Sequence, residues 1–137
     1  MAMFNPLYSL TFNPFDKEQV KEADAFISHD YREMLSRLDY LKNTRGIGVF
    51  TSSPGKGKSF CLRCFAKKLN PSLHHMEYIP LSTVTVAEFY KELCTILRVS
   101  DKGGKPGRFH AIQEQIHYLY HEKRQPLILA IDEAQFL

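Results

Sequence analysis

Ser52-Ser53-Pro54-Gly55-Lys56-Gly57-Lys58-Ser59 is the stretch that decides how this chain is read. It follows a short apolar run, Ile47-Gly48-Val49-Phe50-Thr51, and leads into a helix-like segment from Phe60 to Leu69. Strand, glycine-rich loop, helix is the context in which the pattern G-x-x-x-x-G-K-[S/T] binds phosphate. Gly55 and Gly57 let the backbone bend so that successive N–H groups point inward at phosphate oxygens. The helix that starts there adds its positive end. Ser53, Pro54, Gly55, Lys56, Gly57, Lys58, Ser59 and Phe60 are therefore the nucleotide-contact candidates. Lys58 would reach the β- and γ-phosphates, and the Ser59 hydroxyl would ligate Mg²⁺. Ser52 stands where the pattern has its first glycine, a position where a serine can open a tight turn.

A second motif closes the chain. Pro126-Leu127-Ile128-Leu129-Ala130-Ile131-Asp132-Glu133 is a continuous apolar run ending in two carboxylates, the pattern of a buried strand. In a P-loop NTPase the Asp of such a strand holds the hydration shell of Mg²⁺, and the Glu beside it polarises the attacking water. Ser59 and Asp132 are thus the metal candidates, and Glu133 and Lys58 the catalytic ones. A basic loop that merely carries glycines and a core strand with an acidic edge are the plain alternatives. Each is tenable alone, and the pairing of the two motifs argues against both.

Composition narrows the rest. With 137 residues, 44% apolar and 24% charged, the chain suits one folded globular domain with a modest core. A net charge of +3 permits a nucleic-acid partner without arguing for one. No apolar run approaches the eighteen or so residues of a membrane span. The N-terminus lacks a basic region followed by an apolar core, so no secretory leader is expected. Three cysteines fit a reducing compartment, and the cytoplasm is the expected location. Cys61 and Cys64 form C-x-x-C inside the helix after the loop, with no second pair nearby, and are expected to pack rather than to bind zinc. His29, His74, His75, His110, His117 and His121 show no catalytic spacing and are expected on surfaces and helix faces.

Along the chain, Pro6, Asn13-Pro14-Phe15 and scattered aromatics read as an extended arm. Ser28 or Asp30 can cap a helix with Tyr31, Met34, Leu35, Leu38 and Leu41 on one face. A first strand is expected at about 46–51, the loop's helix at 58–69 with Asn70-Pro71 ending it, and a second strand from Met76 to Leu81. Thr85 and Glu88 have capping-box spacing before a helix with Val86, Phe89, Leu93 and Leu97 inward. The glycine-rich, basic segment from Ser100 to Arg108 is expected to be a loop. Phe109, Ile112, Ile116 and Leu119 then repeat at helical spacing before the last strand. Strands alternating with helices predict a βαβ architecture with a parallel sheet and right-handed crossovers.

These residues resemble AAA+ ATPases of the group that includes the general secretion pathway A protein and the ATPase subunits of bacterial transposition systems. The likeness runs through Phe12-Asn13-Pro14-Phe15, the helix beginning near His29, the phosphate loop, and Asp132-Glu133-Ala134-Gln135. It implies an α/β fold, the P-loop NTPase three-layer αβα arrangement of AAA+ type. It also implies ATP and Mg²⁺ as cofactors and assembly into a ring or filament. The arm, 1–27, would sit near the adenine, with 28–137 as the P-loop core. Proteins of that group continue into a sensor strand, an arginine finger and a helical lid, so the resemblance implies a piece truncated after the Walker B strand. The sensor strand lies between the loop strand and the Asp-Glu strand in the family's sheet. Without it the two flanking strands pair directly, another chain fills the slot, or the piece is poorly stable.

Three functional readings stand. The first is an ATP-binding ATPase that assembles on duplex DNA and assists a transposase, with Lys102, Lys105 and Arg108 as DNA-contact candidates on the 100–108 loop. The second is a secretion-type ATPase serving envelope assembly. The third is a nucleotide-binding module that binds ATP or ADP without turnover.

Overall fold

The computed structural model describes residue 23 and residues 25–80, 85–101 and 103–136. The arm with Asn13-Pro14-Phe15, and Lys102, lie outside these. Helix α1 spans His29–Thr44, α2 Lys58–Lys68, α3 Val86–Ile96 and α4 Gly104–His121; strand β1 is His75–Pro80 and β2 Leu127–Asp132, followed by a 3₁₀ turn at Ala134–Phe136.

Local chemistry accounts for most of the helix boundaries. Ser28, not Asp30, caps α1, its Oγ accepting from the Tyr31 N–H at 3.1 Å. Thr85 and Glu88 form a reciprocal capping box at the start of α3. Each satisfies N–H groups that a helix start leaves without partners.

β1 and β2 run parallel, with His75 opposite Leu127 and Pro80 opposite Asp132. Odd and even residues face opposite sides of the ribbon. Ile79, Leu127 and Ile131 pack with Leu93, Cys94 and Leu97 of α3 and its end, and with Ile112 and Leu119 of α4. Met76 and Ile128 pack on the other side with Leu38 of α1 and Cys61 and Phe65 of α2. Helices therefore cover both faces of the two-stranded sheet. Cys61, Cys64 and Cys94 are buried thiols within this packing.

Four expectations need correction. The strand expected at 46–51 joins no ladder among the described residues. Its packing explains where it sits. Phe50 joins the cluster between α1 and α2, and Leu41 lies so close over Gly48 that an added Cβ would come within 2.2 Å of its Cδ1. Ile47 and Val49 point the other way and are 98% and 84% exposed. The segment keeps the alternation of a strand without a neighbour on its outer side, so the direct pairing of flanking strands does not occur.

The other three corrections concern helix faces and one helix start. The expected loop at 100–108 is helical from Gly104 onward. Pro106 falls in the first turn, where a missing N–H costs nothing. The inward face of α4 is Ala111, Ile112 and Leu119, while Phe109 and Ile116 are exposed. Val86, at the first position of α3, is exposed as well, because the apolar face begins only at Phe89.

Candidate functional site

The phosphate-loop residues lie between the 46–51 segment and α2. Pro54 and Gly55 form a turn, with Gly55 at φ +79°, the arrangement of Pro and Gly that a type II turn requires. Gly57 caps α2 at φ +84°, and no side chain bonds to the helix start. Nothing lies within 4 Å of where a Cβ would stand on either glycine. The N-terminal N–H groups of α2 have no side-chain cap, and such groups are suited to an anion. Phe60 sits on the first turn of α2 with its ring 6.1 Å from that of Tyr31.

Lys58 folds back over the loop. Its Nζ donates to Ser52 O at 3.0 Å, Ser52 Oγ at 3.1 Å and Ser53 O at 3.4 Å. Ser52, where the motif departs from glycine, therefore supplies two of the three oxygens that hold the lysine. Lys58 is half-buried beside the exposed Ser53 and Lys56, and the oxygens that hold its ammonium lie on exposed loop residues.

Ser59 and Asp132 meet. Ser59 Oγ donates to Asp132 Oδ2 at 2.5 Å, joining the start of α2 to the end of β2. The same oxygen accepts from the Tyr78 hydroxyl at 2.6 Å, and Oδ1 accepts from the Glu133 N–H at 3.1 Å. Partial burial pushes the Asp132 carboxyl up, yet the bonds from Ser59, Tyr78 and the Glu133 N–H, with the charge of Lys58, outweigh it. The group is held below the usual carboxylate range. Tyr78 moves the other way: burial, then its bond to Asp132 and that carboxylate's charge, raise its phenol.

Glu133 is exposed and left-handed, at φ +56°, a conformation costing about 1 kcal/mol or more for a residue with a Cβ. Gln135 donates to its carboxylate. Among the described residues, the DNA candidates Lys105 and Arg108 each have a partner within the chain. Arg108 grips Asp101 with two parallel bonds, Nε to Oδ1 at 2.8 Å and Nη2 to Oδ2 at 2.9 Å, and its Nη1 reaches Ala87 O at 3.5 Å. Lys105 lies 5.8 Å from the Tyr90 ring centroid.

The chain matches the family model described as AAA domain over residues 22–137. It belongs to the AAA domain family. Searches of curated proteins and of solved structures return no match. AAA domains are P-loop ATPases that generally bind ATP with Mg²⁺ and often oligomerise, and the matched span takes in both the phosphate loop and Asp132-Glu133. Nothing in the match selects between the transposition and secretion groups. Among the described residues of this AAA domain, no helix is long and apolar enough to cross a membrane.

The donor set fits the cofactors of such a domain. Mg²⁺ prefers one or two protein oxygens together with water and phosphate, and Ser59 with Asp132 is such a pair. Tyr78 is the site residue that sequence reading missed. Its place beside Asp132 depends on the register of β1 against β2, and no local pattern in the sequence reports that register.

Proposed function

We propose that this AAA domain binds ATP with Mg²⁺ through Ser53 to Phe60 and Asp132, and that it works as an ATPase with Glu133 orienting water. The observation that carries the reading is the meeting of Ser59 and Asp132. Two motifs distant in sequence converge on one point, beside a helix start with no side-chain cap and the Lys58 ammonium held on loop oxygens. The α/β arrangement, with helices on both faces of a parallel sheet, supports the three-layer P-loop NTPase fold of AAA+ type. Residues 28–137 then form the core and 1–27 its arm.

In this reading the N–H groups of the loop and of the α2 start cradle the phosphates. Lys58 leaves the Ser52 and Ser53 oxygens for the β- and γ-phosphates. Ser59, from the start of α2, and Asp132, from the end of β2, would together hold the cation. When bound, Mg²⁺ supplies charge neutralisation at the β- and γ-oxygens. Glu133 accepts a hydrogen bond from the attacking water.

The same proposal extends to a DNA-associated regulator that assists a transposase, with assembly into a ring or filament. Its support is the resemblance carried by Asn13-Pro14-Phe15 and Asp132-Glu133-Ala134-Gln135. With Arg108 engaged by Asp101, Lys105 is the stronger of the two described DNA candidates. A secretion ATPase remains the competing assignment. Equilibrium titration with ATP and Mg²⁺ tests the core of the reading: saturable binding displaced by ADP supports it, and no binding at millimolar nucleotide overturns it. Anisotropy of a labelled duplex, with and without a non-hydrolysable ATP analogue, tests the DNA arm. ATP-linked, salt-sensitive affinity supports transposition, and its absence at low salt favours secretion.

A further inference from the structure

We propose that Tyr78 is a positioning residue for the cation site, holding the Asp132 carboxylate toward Ser59 through the bond from its hydroxyl. This rests on the nucleotide-and-Mg²⁺ reading above and assigns a role to a residue outside both motifs.

The geometry begins in the register. Tyr78 stands opposite Ala130, and Asp132 opposite Pro80, so Tyr78 and Asp132 are diagonal neighbours on one face of the ribbon. That is the face on which α2 packs, and so the face to which Ser59 is delivered. Diagonal neighbours are too far apart for short side chains, but a tyrosine spans the gap and puts its hydroxyl 2.6 Å from Asp132 Oδ2.

Three donors from three places orient the carboxylate. Ser59 comes from the start of α2, Tyr78 from β1 and the Glu133 N–H from the turn after β2. Two of them converge on Oδ2, which pins the plane of the group. Ser59 is also the hydroxyl that must turn toward a bound cation. Once it turns, Tyr78 is the donor from another element that still holds Oδ2. The strand backbone fixes Tyr78 by its ladder to β2, so the restraint survives the change. Groups that hydrogen-bond a metal-binding carboxylate typically contribute 10–100-fold to metal affinity.

The test is the Mg²⁺ dependence of ATP affinity in wild type, Tyr78→Phe, Asp132→Asn and the double variant, with melting temperatures recorded for each. In wild type, Mg²⁺ strengthens ATP binding relative to EDTA. In Tyr78→Phe the affinity in EDTA is unchanged, and about ten-fold more Mg²⁺ is needed for half of the gain. In Asp132→Asn the gain is small, and adding Tyr78→Phe changes it no further. An unaltered Mg²⁺ midpoint in Tyr78→Phe overturns the proposal. So do losses that add in the double variant or that appear equally in EDTA, because they assign Tyr78 a general structural role. Failure of wild type to bind ATP at all would instead remove the nucleotide reading, and this proposal with it.

Discussion

Ser59 Oγ and Asp132 Oδ2 stand 2.5 Å apart, so the first turn of α2 and the last residue of β2 are joined directly. The bond does two things. It ties α2 to the end of the ribbon, and it places a hydroxyl and a carboxylate where one cation can meet both. A serine that opens a helix and an aspartate that ends a strand need no such contact for packing, since α2 is already anchored by Cys61 and Phe65.

Glu133→Gln should leave ATP affinity within two-fold and lower any turnover by about 10²–10⁴-fold, the usual range for removing a general base. Phosphate release under saturating ATP reports the turnover, and calorimetry the affinity. Loss of binding in the variant would mean that Glu133 shapes the site rather than the water.

Ile47→Thr and Val49→Thr should each change stability by no more than about 0.5 kcal/mol, because both side chains lie in solvent. Leu38→Ala, in the buried cluster between α1 and α2, should cost about 2–5 kcal/mol. Urea denaturation distinguishes them. Large losses at 47 and 49 would show that the outer side of this segment is covered in solution.

That contrast shows where the sequence was legible. The apolar run at 46–51 reads as a strand of the sheet, yet it joins no ladder among the described residues, because a local pattern cannot report whether a neighbouring strand is present. Ser28 and Thr85 were readable because a cap is satisfied within three residues. The start of α4 was not, because Gly103, Gly104 and Pro106 look like loop residues one at a time. What makes that turn is the pairing of Asp101 with Arg108 across it, together with Asp101 Oδ1 accepting from the Gly103 N–H. The phosphate loop and Asp132-Glu133 were legible as motifs. That they meet at Ser59, with Tyr78 as a third party, depends on packing and register.

Acid should release the 101–108 turn. The bond to Arg108, then the one from the Gly103 N–H, hold the Asp101 carboxyl below its ordinary value. A depressed carboxyl contributes stability above its unfolded value and loses it as pH falls through the folded one. The loss should therefore begin as pH falls through the ordinary aspartate range and be complete only below the depressed folded value, and Asp101→Asn should abolish it. Carboxyl and guanidinium NMR shifts across an acid titration check this. A normal aspartate titration at 101 would contradict the clamp.

On duplex DNA, Lys105→Gln should reduce the salt slope by about one unit if that lysine touches phosphate. Arg108→Gln should act mainly by loosening the 101–108 turn, which circular dichroism would register. A reduced salt slope in Arg108→Gln with the helix intact would show that the Asp101 pairing opens on binding.

The most direct test of the central claim is calorimetric titration of ATP with Mg²⁺ into wild type and Lys58→Ala. The lysine already rests against the loop oxygens of Ser52 and Ser53, one exchange away from a phosphate. A charge-assisted bond of that kind contributes about 1.5–3 kcal/mol. Wild type should bind, and Lys58→Ala should bind about 10- to 100-fold more weakly with an unchanged fold. Equal affinity in the two proteins would contradict the account.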